Sequence, residues 1–558
     1  MREHHLSPAR RPGGKEVSGM SETLLDLYRR GDTQAIWKRY CGYLELGRDE
    51  FQQTQDRLLA NQLSAWKRSP LVGRIFGGSI PSTVEEFRER APLTTYDDYA
   101  DALLNRREED LPEPAHVWVH TSGRGGQFEF KWFPFTRGMF DAMSDYSVGC
   151  FLLAACRQRG EIRLKERDRL MFTLAPVPFV SGLVVRALYE QFNFRIWPPY
   201  EQAVRMEFFE RIREAIRLAF SEGIDYFYGI SSFMISLSEQ FEEAGRGGGS
   251  PEMRRMLRDP RVLLRLLKGI LSARLRGSPL RPRDLWRPKG IICGGMDTAV
   301  YRERIRAMWG EYPREGYGCS EFGFLANQHY AATGMVPCVQ TCYFEFLPLE
   351  EYEKWKRDRA HRPSLRRLSE VETGRDYALI GTNFFGGVLV RYVLGDAVRF
   401  LSLRDPSIGL DLPQLQVSSR IDDVIDIAGF TRLTEKTIWS AVENCGIPYA
   451  DWVVAKEYRA DQPLLHLYLE PRREGDDPDR VAQIIHAELK RLDPQYRDLE
   501  EMAGIRPLVV TLFTRGTFAR YQRERQAAGY DVAHLKPVHM SPKPEVIARL
   551  GAMSAMKI

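Results

Sequence analysis

Short apolar runs alternate with helical patterns through the middle of this chain, and this alternation constrains its fold more than any other feature. The runs at 170–174, 226–230 and 290–293 have the length of buried strands, and turn residues bound them. Between the first two, apolar residues recur on one face of a helical pattern at 206–220. Strands that alternate with helices predict an α/β architecture, with β-sheets flanked by helices.

A different architecture is predicted after about residue 420, where the composition changes. The tail holds strand candidates at 452–456 and 464–469 and a helix at 480–492, which together indicate an α+β unit. At the other end, the first twenty residues are polar and basic, with no apolar core. We therefore expect a disordered tail at 1–20 and not a secretory signal.

The overall composition excludes several classes of protein. Among 558 residues, 80 basic against 75 acidic residues give a net charge of +5, too balanced to predict a nucleic-acid partner. No apolar run reaches the ~20 residues of a membrane span. Eight cysteines without paired spacing predict a reducing compartment, the cytoplasm. Cys338 and Cys342 are four apart, but no second pair completes a zinc site, so no metal is predicted there.

A loop of small residues follows the apolar run that ends at His120. It reads Thr-Ser-Gly-Arg-Gly-Gly from Thr121 to Gly126, and Lys131 comes soon after. Backbone amides in such a loop can approach a phosphate closely. A glycine turn between two strands is the equally good alternative, and no Gly-Lys-Ser/Thr makes it a Walker A loop.

Two further segments have residue types that suit a nucleotide. In Gly-Tyr-Gly-Cys-Ser-Glu-Phe-Gly, Tyr317, Ser320 and Glu321 offer a ring for a base, a hydroxyl for phosphate and a carboxylate for Mg²⁺. Asp396 follows an apolar run and a glycine, as do acidic residues that accept both hydroxyls of a ribose. Taken alone, Asp396 also fits a simple turn.

The remaining segments lie toward the C-terminus and are weak singly. They are Arg-Ile-Asp-Asp at 420–423, Thr-Glu-Lys at 434–436, Gly-Thr-Phe at 516–518 and Lys536 before a proline. A lone lysine before a proline is usually a solvated charge. The order of all these segments along the chain carries more information than any one of them.

In that order, the segments resemble the adenylate-forming superfamily, which includes acyl-CoA ligases, luciferases and peptide-synthetase adenylation domains. The C-terminal stretches 493–497, 505–508, 516–518 and 536–537 resemble the auxin-responsive acyl acid–amido synthetase family more closely. The resemblance covers about 80–545. Arg124 stands where that family has a threonine, and His-Leu-Lys-Pro-Val-His replaces its Gln-x-Lys-x-Pro-Arg ending, which suggests a divergent microbial branch.

The resemblance implies ATP and Mg²⁺ as cofactors and gives each matching residue a role. Thr121, Ser122, Gly123 and Gly126 are implied to surround the phosphates, with positive charge from Arg124 or Lys131. Gly294 and Gly295 are implied to flank the adenine, on which Tyr317 stacks. Ser320 is implied at the α-phosphate and Asp396 at the ribose. The implied catalytic residues are Glu321 as the Mg²⁺ ligand, Arg420 at the domain boundary and Lys536 from the C-terminal domain.

The acid is expected against the segment 176–182 and the strand 226–230. The candidate contacts are Phe179, Ser181, Gly182, Phe227 and Phe233, for each of which core packing is the alternative. The implied reaction joins a small carboxylic acid to an amine such as an amino acid, with His534 and His539 as candidate bases. Two alternatives stay open, namely a ligase that uses the thiol of CoA and a nucleotide-binding protein without turnover.

The resemblance also predicts the domain organisation. Residues 21–420 form a large N-terminal adenylating domain that binds ATP and the acyl group. Residues 421–558 form a small mobile α+β lid, which rotates about 420–423 after adenylation. A reactive acyl-AMP needs such a lid because water would hydrolyse it.

Overall fold

Among the residues that this computed structural model describes, a mixed β-sheet of eleven strands lies at the centre. The described residues are 22–121, 130–245, 258–294, 298–331, 334–421, 424–428, 431–459, 462–473, 475–503, 506–527 and 539–555. The strands are β3 Arg169–Phe172, β4 Arg195–Trp197, β5 Tyr226–Ile230, β6 Gly290–Gly294, β7 Pro313–Cys319, β8 Gly323–Gln328, β9 Met335–Pro337, β10 Cys342–Pro348, β11 Asp376–Asn383, β12 Tyr392–Ser402 and β13 Gln414–Arg420. Across the sheet they follow the order β10-β11-β12-β13-β9-β8-β7-β6-β5-β3-β4.

The sheet changes character at β7. Strands β4, β3, β5, β6 and β7 run parallel to one another. On its other side β7 pairs antiparallel with β8, and the strands beyond are antiparallel as well. The parallel half is the α/β architecture that the alternating pattern predicts, and the sequence runs at 170–174, 226–230 and 290–293 correspond to β3, β5 and β6.

Helices cover both faces of this sheet. The described helices of this part are α1 Leu24–Arg29, α2 Thr33–Tyr40, α3 Arg48–Trp66, α4 Pro70–Ile75, α5 Val84–Arg90, α6 Ala100–Leu104, α7 Arg137–Ala155, α8 Val180–Phe192, α9 Tyr200–Ala203, α10 Phe208–Glu222, α11 Ser231–Gly245, α12 Pro260–Leu275, α13 Pro282–Leu285, α14 Thr298–Trp309 and α15 Leu349–Arg357. Short 3₁₀ helices lie at Gly42–Glu45, Tyr96–Asp98, Glu108–Asp110, Leu368–Glu370 and Pro406–Ile408. A separate hairpin joins β1 Val117–His120 to β2 Trp132–Phe135.

The alternation of side chains along β5 shows how the two faces form separate cores. Tyr226 and Tyr228 point into the larger core, which α7 and α8 cover. Phe227, between them, points into the second core with Ile212 and Phe220 of α10. Successive strand residues face opposite sides of a sheet, so one strand contributes to both cores.

The C-terminal elements have a hydrophobic core of their own, built from residues between 425 and 540. Its strands are β14 Val424–Ile427 paired with β15 Thr431–Thr434, and the sheet of β16 Tyr449–Arg459, β17 Gln462–Pro471 and β18 Leu508–Leu512. Its helices are α16 Glu435–Asn444, α17 Pro478–Leu492 and α18 Pro494–Ala503, whereas α19 Thr517–Ala527 and α20 Pro544–Ala555 pack in a smaller cluster with Val453 and Phe513. This is the α+β tail that the sequence predicts.

No helix within the described ranges is both long and apolar enough to cross a lipid bilayer.

Candidate active site

A cleft of about 1530 Å³ opens at the carboxyl ends of the parallel strands. Ile230 ends β5, Gly294 ends β6 and Cys319 ends β7, and all three residues line it. Ligands of open α/β sheets bind at this edge, in the crevice that the strand ends leave. Residues of β14, β15 and α16 form the opposite wall, so the cleft lies between the large sheet and the C-terminal elements.

The turn between β7 and β8 projects its polar side chains into this cleft because its glycines allow a tight hairpin. A Cβ on Gly316 would lie 2.7 Å from the ring of Phe324. Gly323 has a φ of +81°, and a Cβ there would lie 2.7 Å from Met143. The backbone therefore follows a path that other residues would obstruct.

Tyr317 and Asp396, 79 positions apart in sequence, meet in the cleft. The Tyr317 hydroxyl donates to Oδ2 of Asp396 at 2.6 Å. Asp396 lies on β12 after Gly395, whose φ is +80°, and its side chain is buried at the cleft wall. A charge-assisted hydrogen bond of this length restrains both side chains, so the Tyr317 ring and the Asp396 carboxylate are held in position before a ligand binds.

Hydroxyl and cationic groups lie beside this pair. The Ser320 hydroxyl donates to the carbonyl of His120 at 3.2 Å, and Ser320 lines the cleft. Thr121 and Lys131 also line it, and the Thr121 N–H donates to the Lys131 carbonyl at 3.1 Å. The Lys131 ammonium lies 5.6 Å from the ring of Tyr96.

Glu321 completes the polar side of the cleft. The amide Nδ2 of Asn383 donates to its backbone carbonyl at 3.3 Å, which fixes the end of the turn. Burial and, to a smaller extent, the charge of Glu321 raise the pKa of Tyr96 to about 12. No group of three or more His, Cys, Asp or Glu side chains suited to a metal occurs in the described part of the chain. A single carboxylate facing a cleft fits Mg²⁺, which is usually held by one or two carboxylates together with substrate phosphates.

Eight predicted residues, the candidate base His534 among them, lie outside the described residues or have side chains that are not described. Ser122, Gly123, Arg124, Gly126, Gly295 and Lys536 lie outside the described ranges. Arg420 is described through its backbone, which pairs with Asp396 across β12 and β13. Their roles remain predictions.

The apolar wall of the cleft comes from α8 and the strand ends. Its residues are Leu174, Val180, Val184, Tyr228 and Ile230. Ser181 lines the cleft as well, and its hydroxyl donates to the carbonyl of Ala175 at 2.7 Å.

The other predicted acyl contacts lie around this wall or away from it. A Cβ on Gly182 would overlap the backbone of Pro176 and Val177, so glycine lets α8 approach that segment. Phe179 packs edge-on against His120, with ring centroids 4.5 Å apart. Phe227 and Phe233 stack on each other within the second core, away from the cleft. Tyr228 faces the cleft where Phe227 was expected, because neighbouring strand residues point to opposite faces.

Glu315 is a cleft residue that the sequence pattern does not single out. Burial raises the pKa of its carboxyl to about 7, against a small opposing effect of Arg302. Its N–H donates to Oε1 of Gln328 at 2.9 Å. In the sequence, only its position two residues before Tyr317 on β7 could have indicated that Glu315 lines the cleft.

Both ring nitrogens of His539 lie within hydrogen-bond distance of carboxylates. Its Nδ1 lies 2.6 Å from Oε1 of Glu435, and its Nε2 lies 2.9 Å from Oδ1 of Asp451. The ring stacks on Trp452 at 4.3 Å. Burial lowers the pKa of His539, but the two carboxylates outweigh burial and leave the pKa raised. Because a carboxylate occupies the side of each ring nitrogen, His539 is poorly placed to accept a proton from an amine, which argues against the role of base.

Comparisons with known proteins give one matching family domain and a shared fold. Residues 335–420, from β9 to β13 and including Asp396, match the GH3 family central domain. AtGH3.15 acyl acid amido synthetase, in complex with 2,4-DB, is similar over 93% of this chain and 96% of that chain, with a TM-score of 0.52 and 15% identity. A 2-hydroxyisobutyryl-CoA ligase in complex with 2-HIB-AMP and CoA is similar over 86% of this chain and 88% of that chain, with a TM-score of 0.52 and 16% identity. A search of curated protein sequences gives no match. At these identities the structural likeness shows a shared fold.

Proposed function

We propose that this chain, which carries a GH3 family central domain within the fold of acyl-adenylating ligases, is itself an ATP-dependent ligase. It activates a carboxylic acid as an acyl-AMP, releases pyrophosphate and transfers the acyl group to an amine such as an amino acid. The observation that carries the proposal is the hydrogen-bonded pair of Tyr317 and Asp396, which adjoins Ser320 and Glu321 and faces an apolar wall.

The polar half of the cleft suits ATP. Adenine stacks on Tyr317 beside Gly294, where an added Cβ would meet only the Gly316 carbonyl at 3.9 Å, so the base has room. Asp396 accepts the ribose hydroxyls, as acidic residues do in other nucleotide folds. Thr121, Ser320 and Lys131 lie where hydroxyl and ammonium groups can bind the phosphates, and the loop from Ser122 to Gly126 extends this site by resemblance.

Glu321 is the proposed Mg²⁺ ligand. Bound Mg²⁺ neutralises charge on the phosphates, which otherwise repel an incoming carboxylate. The Asn383 amide donates to the backbone carbonyl of Glu321 and so braces the turn that carries this carboxylate.

The apolar wall indicates the chemistry of the acid. Leu174, Val180 and Val184 present aliphatic side chains, and Tyr228 and Ile230 continue the same surface. Such a surface favours an acid with an apolar body, because each buried methylene contributes about 0.8 kcal/mol to binding. The carboxylate of that acid then points toward the β7–β8 turn and the α-phosphate.

Two displacements follow from this arrangement. In the first, a carboxylate oxygen forms a bond to the α-phosphorus while the bond to pyrophosphate breaks and its electron pair leaves with pyrophosphate. Lys536, by resemblance, stabilises the charge that develops. In the second, the lone pair of a neutral amine attacks the acyl carbon, the bond to the AMP oxygen breaks, and the amine proton passes to solvent. No protein nucleophile is needed.

The wall opposite the sheet favours an amine over CoA. Its charged residues are Asp426, Arg432, Glu435, Lys436 and Glu443. Three are acidic and two are basic, so the described residues of this wall have no excess of positive charge for the phosphates of CoA. An ammonium group approaching the same wall is not repelled.

We also propose that 421–558 moves as a lid relative to 21–420. The separate core of the C-terminal elements and their position on one wall of the cleft support this proposal. Hinges are commonly a few residues at element ends, and Arg420, where the predicted hinge begins, is the last residue of β13.

The eight cysteines are all unpaired, which supports a reducing compartment such as the cytoplasm.

ATP–pyrophosphate exchange with a panel of apolar carboxylic acids tests the proposal. We expect exchange that depends on the acid and, when amino acids are added, an amide detected by mass spectrometry. Phe227→Leu, which changes a residue away from the cleft and keeps the core apolar, should show the same dependence on the acid as the wild type. ATP binding without exchange for any acid would favour a nucleotide-binding protein without turnover, and acyl-CoA without amide would favour the thioester ligase.

A further inference from the structure

Helix α12, Pro260–Leu275, presents an exposed apolar face that neither the cleft nor the proposed reaction uses. The helix begins at a capping Asp259, whose side chain accepts from the Arg261 N–H, with proline at its first position. Val262, Leu266 and Ala273 bury its inner face against α10 and α13. This packing orients the helix and leaves the other side outward.

Six large apolar side chains lie on that outward side. At 100° per residue they fall within an arc of about 140° on the helix. They are half of the twelve exposed large apolar side chains among the described residues. Their exposed fractions are Leu263 44%, Leu264 55%, Leu267 55%, Ile270 38%, Leu271 60% and Leu275 81%. Single exposed leucines are normal on protein surfaces, but a contiguous set on one helix marks an interaction surface.

The surrounding segment is strongly basic. Residues 258–289 contain ten basic and two acidic residues, a formal charge of +8, although the whole chain carries only +5. Arg261 pairs with Glu222 and Lys289 with Asp168, two acids outside this segment, which still leaves the segment an excess of positive charge. The rest of the chain is therefore slightly negative, at −3. Arg258, Lys268, Arg274 and Arg287 are exposed, and none of them forms an ion pair with a residue that the structure describes.

We propose that this face of α12 docks on the surface of an anionic lipid bilayer. An apolar ridge flanked by lysine and arginine is the pattern of helices that lie in a membrane interface, with the apolar side chains in the acyl region and the cations at the headgroups. Each basic residue near an anionic leaflet adds to the attraction. The helix lies on the bilayer and does not cross it, since none of the described helices can span one.

The charge decides between a bilayer and a second copy of this chain. Two copies that meet through α12 would bring together two segments that each carry an excess of positive charge, and like charges at short range oppose association. An anionic bilayer offers the opposite charge and an apolar layer below it. The same surface chemistry therefore favours the lipid partner.

Sedimentation with lipid vesicles tests this proposal on the full-length protein. We expect binding to phosphatidylcholine vesicles that contain phosphatidylserine, at least about tenfold weaker binding to phosphatidylcholine alone, and loss of binding at high salt. The triple substitution Leu264→Gln, Leu267→Gln and Leu271→Gln is expected to weaken binding by about tenfold or more. Leu401→Gln, at a 40% exposed leucine elsewhere, is the matched control and should bind like the wild type.

A second variant guards against misfolding. Lys268→Glu with Arg274→Glu changes exposed charge alone and should also weaken binding to phosphatidylserine vesicles, with an unchanged melting temperature. Equal vesicle binding by the wild type and both variants would overturn the proposal. So would an oligomer of the wild type, seen by analytical ultracentrifugation without vesicles, that the triple variant converts to a monomer, because α12 would then be an interface between copies.

Discussion

Replacing Asp396 by alanine separates a ribose-binding carboxylate from a turn residue. In the proposed complex the carboxylate accepts both ribose hydroxyls, and hydrogen bonds to a charged group contribute about 1.5–3 kcal/mol each. Two such bonds at the lower value total about 3 kcal/mol, which corresponds to about a 100-fold increase in the Kd of ATP. The loss of stability should be small, about 1.5 kcal/mol, because Asp396 accepts the Tyr317 hydroxyl in the folded protein.

Isothermal titration calorimetry with ATP and with 2′,3′-dideoxy-ATP measures this contribution directly. The wild type should prefer ATP by about 100-fold, and Asp396→Ala should bind both nucleotides equally, because the carboxylate and the diol form one interaction. Tyr317→Phe is the matched control. It removes the 2.6 Å hydrogen bond but keeps the ring and the carboxylate, so its Kd should change less than about tenfold and the preference for ATP should remain.

Two results would refute this reasoning. An Asp396→Ala variant that melts early but binds ATP like the wild type would make Asp396 a structural turn residue. A variant that still prefers ATP over the dideoxy nucleotide by the full factor would place the ribose elsewhere.

Three further predictions concern other parts of the cleft. Lys536→Ala should lower the rate of ATP–pyrophosphate exchange by about 10²–10³-fold with a far smaller change in ATP affinity, and an unimpaired rate would remove Lys536 from the mechanism. Gly182→Ala should lower the melting temperature and the exchange rate more than Ser181→Ala does. The new Cβ at position 182 would overlap the backbone of Pro176 and Val177, whereas Ser181→Ala removes only one hydrogen bond. Equal effects of the two substitutions would contradict this prediction. Glu315→Gln should flatten the pH dependence of the free energy of unfolding, measured by urea midpoints between about pH 4.5 and 7. Burial raises the pKa of Glu315 to about 7, so the folded wild type holds a proton that the unfolded chain releases. The stability of the wild type therefore falls as pH rises through this window. An unchanged profile would show that Glu315 does not titrate in this range.

The parallel half of the sheet could be predicted because its strands are local features. The runs at 170–174, 226–230 and 290–293 are apolar, short and bounded by turns, so they became β3, β5 and β6 without any knowledge of their neighbours. The order of the strands is not local. The approach of Tyr317 and Asp396 requires β7, β8, β9, β13 and β12 to lie side by side, which no pattern in either segment indicates.

Burial explains where sequence reasoning was less accurate. In the run 226–230 all residues are apolar or small, so the pattern does not tell which of them face the cleft, and Tyr228 lies there while Phe227 packs in the second core. The raised pKa of Glu315 depends on surroundings supplied by distant residues. Sequence likewise predicts which residues of α12 are apolar, but only packing shows that Leu271 and Leu275 remain exposed.

The central claim is that the carboxylate of an acid attacks the α-phosphorus of ATP, and an isotope experiment tests it most directly. The acid is labelled with oxygen-18 in both carboxylate oxygens and converted to product with ATP and an amine, and the nucleotide is analysed by mass spectrometry. In the proposed reaction the oxygen that bridges acyl group and phosphorus leaves with AMP, so AMP should carry one labelled oxygen and pyrophosphate none. Formation of ADP with labelled inorganic phosphate would contradict the account, because the acid would then be activated at the γ-phosphate.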